Sequence, residues 1–240
     1  MRWAPGIGPL ARKVYGHLPE SWHDTPTSRL RAFYADREEV TFLQIGAYDG
    51  IAGDPLRPIV VADERWRGIL VEPQPWAFER LKSNYREASH RLFFVNCAIS
   101  STGGKTEFYY VSPETIERDG LPAYYAELAS FDRDNIVKHA PSVFIETIVI
   151  ETLTVADALT AAGCELVDCL VLDIEGLEAT VLGNIDFNLL GVSFVVFEHK
   201  HLTAVDMASV MNRLASFGFR TKAFGRDTIA WRAAEDLRRS

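Results

Sequence analysis

The chain has 240 residues, 48% of them hydrophobic, enough for one large α/β domain or two small ones with a sizeable core. Its 33 acidic residues outnumber its 25 basic ones, and the net charge of −8 argues against a broad basic surface for nucleic-acid phosphates, leaving room only for a local patch. No apolar stretch reaches the roughly 20 residues that span a membrane, and the three cysteines, Cys97, Cys164 and Cys169, lack CxxC spacing and read as thiols of a reducing compartment.

Residues 1–25 are rich in Pro and Gly and carry charges where a signal peptide would need an unbroken apolar core, so they read as an arm or lid of a cytoplasmic, soluble protein. Thr27 to Glu38 follows as a helix, with Leu30, Phe33 and Tyr34 on one face. Residues 1–38 form an N-terminal arm and helix suited to a lid or a dimer contact, which leaves a homodimer open. Residues 39–240 read as one domain.

Val40 to Gly50, VTFLQIGAYDG, is a buried strand running into a turn at Gly46 and Gly50. Glu72 lies 22 positions after Gly50, at the end of a second apolar run. A glycine turn after a first strand, with an acid about 20 residues further on, is the arrangement that holds a nucleoside cofactor. The spacing Gly-x-x-x-Gly replaces Gly-x-Gly-x-x-Gly, which points away from NAD and towards S-adenosylmethionine (SAM), a molecule with no pyrophosphate. Taken alone, the motif equally fits two glycines that end a buried strand.

Asp54-Pro55 marks a helix start, the helix reaching towards Trp66. Gly68 to Glu72 is the second strand, Trp76 to Ala88 a helix, Leu92 to Ile99 a third strand, and Thr106 to Val111 another after the turn at Gly103-Gly104. Residues 112–142 are a long, weakly periodic insertion, and its Tyr124, Tyr125, Phe131 and His139 suggest a segment that folds over a ligand. Phe144 to Leu153 is a strand, and Thr154 with Asp157 opens a helix by a capping box. Val167 to Asp173 and Val192 to Phe197 are nearly continuous apolar strands, as in a parallel sheet covered on both faces, and they should lie side by side at its centre. Helices begin at Glu175 and at Thr203-Asp206, and Phe219 to Trp231 is a hairpin turning at Gly225-Arg226-Asp227. Strands alternating with helices predict a mostly parallel seven-stranded sheet with helices on both faces and a C-terminal antiparallel hairpin, a Rossmann-like α/β fold.

Six collinear segments resemble the FkbM family of SAM-dependent methyltransferases: QIGAYDG with GDP at 44–55, WRGILVEPQPWAFERLKSNY at 66–85, NCAIS at 96–100, SFDRDNIVKH at 130–139, LVLDIEGLEATVL at 170–182 and FEHKHL at 197–202. The chain departs from the family in Gln44, where an acid is usual, and in Tyr48, where Asn is frequent. The resemblance implies a class I methyltransferase that uses SAM (EC 2.1.1.-).

Cofactors in such sheets bind outside the carboxyl ends of the strands. The resemblance places Gly46, Ala47 and Gly50 where backbone approaches the methionine end of SAM, with Gln44 as an uncharged hydrogen-bond acceptor and Asp49 as a candidate countercharge. Glu72, followed by Pro73, would take the ribose hydroxyls, and Asn96, Cys97 and Ala98 the adenine edge; a solvated strand-end acid is the alternative for Glu72. Asp173 would face both cofactor and acceptor. On the acceptor side stand Asp173, Glu198 and His199 as catalytic candidates, with Ser130, His139, Glu175 and His201 as substrate contacts. Three readings stay open for this group: His199 as general base, a divalent cation held by Asp173, Glu175 and Glu198, not favoured, or helix capping and core hydrogen bonds.

The function expected is O-methylation of a hydroxyl on a small molecule such as a sugar or a polyketide-type metabolite, with no nucleic-acid or membrane partner. The alternatives are a SAM-binding scaffold without catalysis, kept open by Gln44, and a nucleic-acid methyltransferase, disfavoured by the charge and by the lack of an Asn-Pro-Pro-Tyr-like motif.

Overall fold

The computed structural model describes residues 24–232. The arm read over residues 1–25 lies almost wholly outside the described residues. Helix α1 (Pro26–Phe33) opens with a reciprocal capping box between Thr25 and Ser28 and with Pro26 in its first turn. It stops short of Glu38 at Tyr34, whose backbone leaves the helical region (φ −102°, ψ 19°) and whose hydroxyl donates to Asp168 O at 2.7 Å and lies 3.0 Å from Ser193 Oγ. These contacts pin α1 at the entry ends of the strands.

The following elements are β1 (Val40–Ile45), α2 (Arg57–Val60), β2 (Trp66–Val71), α3 (Pro75–Asn84), β3 (Leu92–Val95), β4 (Ala98–Ile99) and β5 (Gly104–Tyr110). After them come α4 (Pro113–Asp119), β6 (Ala129–Ser130), α5 (Arg133–His139), β7 (Glu146–Leu153), α6 (Val155–Ala161) and β8 (Cys169–Leu172). The chain continues through α7 (Glu178–Asn184), β9 (Phe194–Glu198), α8 (Ala204–Ser216), β10 (Arg220–Phe224) and β11 (Asp227–Trp231).

Seven strands form the main sheet in the order β10-β11-β9-β8-β1-β2-β3, parallel except for the C-terminal hairpin, whose β11 pairs antiparallel with β9. This is the expected Rossmann-like sheet, with β8 and β9 side by side. The apolar runs are unbroken because alternate residues feed two cores. Leu43, Ile45, Leu170, Leu172, Val195 and Phe197 pack on one face. Val40, Phe42, Cys169, Val171, Phe194 and Val196 pack on the other. Among the described residues no helix is long and apolar enough to cross a membrane.

Two local expectations are corrected, and a third gains detail. Leu92 to Ile99 is two strands, since the chain leaves the main sheet after Val95 and enters a second, four-stranded sheet of order β4-β7-β5-β6. The helix from Asp54 shrinks to the single turn of α2; Asp54 does accept from Leu56 N (2.8 Å) and Arg57 N (3.1 Å), but Pro58 has no N–H with which to extend the ladder. Residues 112–142 are an ordered subdomain with helices α4 and α5, and Val111, Ile136 and Ala140 are its buried centre.

Candidate active site

Strand register sets the site. Ile45 lies opposite both Val71 and Leu172, and Leu172 lies opposite Phe197. The next residue on each strand therefore falls in one row at the carboxyl edge: Glu198, Asp173, Gly46, Glu72. The sheet order reverses between β1 and β8, which is where a crevice opens in such folds. A cavity covers this row. The second sheet walls it with Ala98, Ile99, Phe108 and the stretch Ala129 to Phe131, and Arg226 reaches it from the hairpin turn.

Gly46 has φ +78°, and a Cβ there would sit 1.8 Å from the carbonyl oxygen of Asp173. Only glycine lets the β1 exit pass this close to the β8 exit. Glu72 is 3% exposed, and its two oxygens accept from Tyr48 N and Gln74 N, both at 2.8 Å. Tyr48 reaches this position in the left-handed region (φ +47°), its ring edge-on to Trp76. A non-Gly residue in this region is uncommon, and Asn tolerates it several-fold better. Burial pushes the Glu72 carboxyl up to about 7, against the pull of its two backbone N–H bonds. Each oxygen keeps a lone pair for a further donor. Beside it Gln74, 4% exposed, leaves its side-chain oxygen without a partner at the cavity wall.

The acceptor side is a group of acids. The Asp173 side chain is reached by solvent through the cavity, yet the surrounding walls, and after them the Glu198 charge, push its carboxyl up to about 7. Glu175, at φ +53°, is pushed up to about 8 by burial first and by Asp173 next. Burial likewise raises Glu198, which is 6% exposed, while Arg226 opposes the rise. Glu178 is different: it accepts from Ile174 N (2.8 Å) and Gly176 N (3.0 Å) and so holds the loop after β8 in shape. His201 Nε2 lies 2.9 Å from Glu175 Oε2, at ion-pair distance but without hydrogen-bond geometry. Burial, then Lys200, lowers the His201 pKa, so both members of that contact favour their neutral forms.

Of the residues singled out from sequence, Gly46, Glu72, Pro73, Ala98, Ser130, Asp173, Glu175 and Glu198 line the cavity. The others do not. Gln44 shares a strand face with Val40 and Phe42, so it points into the core beneath the helices, where it donates to the half-buried Asp54. Ala47 is packed in that same core. Asp49 is occupied by Ile51 N (2.8 Å) and Ala52 N (3.0 Å) of its own turn. A Cβ at Gly50 would come within 2.7 Å of Leu81 and Tyr85, so this glycine serves the seating of α3. Cys97 is buried in the opposite core. Asn96 donates to Glu72 O (2.8 Å) and Pro73 O (3.2 Å), stapling the loop that carries Glu72. His199 turns towards β11, its Nδ1 3.0 Å from Thr228 Oγ1. His201 sits behind Glu175 and Glu198, with His139 edge-on to it at 5.5 Å.

Sequence reading missed Tyr48, Gln74, Glu127 and Arg226 as site residues. Tyr48 and Gln74 each lie next to a chosen residue, and the turn carrying Arg226 was visible, but nothing in its pattern shows that it bends over the β9 exit. Of the insertion aromatics, Phe131 lines the cavity, whereas Tyr124 is 58% exposed.

Solved structures with similar folds include the N-terminal domain of human METTL16 in complex with SAH, with 14% identity, 96% of this chain and 72% of that one covered, and a TM-score of 0.44. Fibrillarin of Aeropyrum pernix with natively bound S-adenosyl-L-methionine shares 13% identity over 92% and 73% of the two chains (TM-score 0.40). The precorrin-6y C5,15-methyltransferase of Geobacter metallireducens shares 11% over 85% and 88% (TM-score 0.41). A search of curated proteins gives no significant match. The model of the methyltransferase FkbM domain matches residues 44–221, which contain the whole strand-end row and most of the cavity wall, and the chain belongs to that family.

Proposed function

We propose that this methyltransferase uses SAM to methylate a hydroxyl group on a small molecule of the sugar or polyketide type. The observation that carries this reading is Glu72: a buried carboxylate at the end of β2, aimed by two backbone N–H groups and still able to accept two hydroxyls. The other groups of the cavity wall fit SAM as well. Gln74 has an unpartnered oxygen at the wall, Ala98, Ile99 and Phe131 offer an apolar face to a flat base, and the acids of the cavity favour a cationic ligand.

When bound, SAM supplies the methyl group and a sulfonium leaving group. The chain must orient the acceptor and take its proton. Asp173 suits this better than His199, because it lines the cavity and its carboxyl titrates near neutral pH. An Asp173 oxygen would take the hydroxyl proton as the methyl carbon exchanged its bond to sulfur for one to the acceptor oxygen, leaving S-adenosylhomocysteine. Ala129 to Phe131 line the cavity together with the strand-end row, and an acceptor held between them supports a small molecule over a macromolecule.

The test is calorimetry of SAM with the full chain, followed by a panel of hydroxylated acceptors scored for S-adenosylhomocysteine. Tight binding with turnover of one acceptor class supports the proposal. Binding without turnover of any acceptor, nucleic acid included, favours a non-catalytic SAM protein, and no binding rejects both.

A further inference from the structure

Beside the catalytic row lies a set of donors that methyl transfer through Asp173 leaves unused. We propose that Glu175, Glu198 and His201 form a binding site for one divalent cation of the Mn²⁺ class, open towards the cavity. Their ligand atoms all lie within 4.8 Å of one another. His201 Nε2 is 2.9 Å from Glu175 Oε2 and 3.8 Å from Glu198 Oε2. Two donors about 2.1 Å from a shared ion stand about 3.0 Å apart at a right angle and about 3.4 Å apart at the tetrahedral angle, so small side-chain adjustments bring all three onto one ion.

A second observation is independent of this spacing. The Glu198 side chain is 7% exposed and accepts no hydrogen bond from the described residues. Its nearest basic nitrogens, Arg226 Nε at 3.7 Å and His201 Nε2 at 3.8 Å, both stand beyond hydrogen-bond reach. The buried His201 Nε2 is also without a hydrogen bond. A carboxylate left this way is costly unless something neutralises it. The chain does satisfy a buried acid where it needs no ligand: neighbouring Glu178 takes two backbone N–H bonds. Arg226 is 66% exposed, so it can swing out as an ion enters.

Two carboxylates and one imidazole suit Mn²⁺ or a similar first-row ion, whereas Ca²⁺ takes six to eight oxygens. Three protein ligands leave coordination positions free, and Glu175 and Glu198 turn those positions to the cavity. There the ion would polarise the acceptor hydroxyl before Asp173 takes its proton. That role rests on the transfer proposed above, whereas the binding does not.

The experiment titrates Mn²⁺ into the full chain, without SAM or acceptor, and follows free Mn²⁺ by electron paramagnetic resonance. One saturable equivalent is expected, weakened about tenfold or more in Glu198→Gln and in His201→Ala. In wild-type protein, substoichiometric Mn²⁺ should broaden the imidazole proton signals of His201 well before those of His90, which precedes β3 at the entry end of the sheet. Absence of saturable binding, undiminished affinity in both variants, or equal broadening of the two histidines would each overturn the site. The wild-type spectra decide the matter even where a variant fails to fold. Loss of SAM binding with Mn²⁺ bound would reject the cofactor reading and leave the cation site standing.

Discussion

Glu72 and Glu198 close two strands of the same sheet edge and are almost equally buried, at 3% and 6% exposure. Their surroundings are opposite. Glu72 has a backbone N–H on each oxygen at 2.8 Å, supplied by turns on either side of it. Glu198 has no hydrogen bond among the described residues, and its nearest basic nitrogens, of Arg226 and His201, stand at 3.7 and 3.8 Å. Burial alone therefore does not say what an acid is for. Glu72 is aimed in advance and its lone pairs are half used, as suits a fixed pattern of hydroxyls. Glu198 is left for a ligand that brings positive charge.

The largest expected effect lies between the two, at Asp173. Asp173→Asn should lower the methyl-transfer step by roughly 10²–10⁴ while SAM affinity changes little. Single-turnover kinetics that match wild type would place the base elsewhere. Next, Glu72→Ala should weaken SAM by about 10²-fold or more, since each lost charge-assisted bond is worth about 1.5–3 kcal/mol. The same change strands the N–H groups of Tyr48 and Gln74, so denaturant melts should show a loss of about 1–3 kcal/mol in the ligand-free protein. Unchanged SAM affinity in a folded variant would end the ribose assignment.

A pH series sharpens the contrast. The folded-state pKa of Glu72, about 7, lies above its ordinary 4.5. Between those values the folded state holds a proton that the unfolded chain has released. Its share of stability is thus full below pH 4.5 and falls as pH rises to about 7, by about 3 kcal/mol in ligand-free protein. Glu72→Gln should flatten that slope, and identical slopes in the two proteins would refute the assignment. The smallest effect belongs to Glu198→Gln: without metal it should leave stability within about 1 kcal/mol of wild type or raise it, since no hydrogen bond is broken and a buried charge is removed. A loss above about 2 kcal/mol would mean that Glu198 has a structural partner and that the two acids are alike after all.

The main sheet was legible because its strands are covered on both faces and so appear as unbroken apolar runs. The strand-end acids were legible for a related reason: each is the first polar residue after such a run. What failed depended on side-chain direction or on short elements. Gln44 follows Val40 and Phe42 at a period of two, and that alternation could have placed it in the core beneath the helices. His199 and His201 lie on a turn, where no period tells which imidazole faces the acids. The break at Asn96 and Cys97 was hidden because two short strands of different sheets follow each other without a turn signal. Helices α4 and α5 have seven residues each, too few for a 3.6-residue period to emerge.

The position of β11 between β9 and β10 has a consequence for how the molecule is made. A nascent chain that has reached only residue 219 presents β9 as a bare edge, and its segment Phe194–Glu198 is wholly buried in the finished protein. Such an edge is a template for aggregation until another strand covers it. The residues that cover it bring Arg226 and Thr228 to the β9 exit, and Arg232 then latches the hairpin onto the carbonyls of Phe187, Val192 and Phe217. Strand β11 thus both shields the chain from its neighbours and completes the acidic end of the cavity, so folding yield and activity should rise together once residues 227–231 have been made.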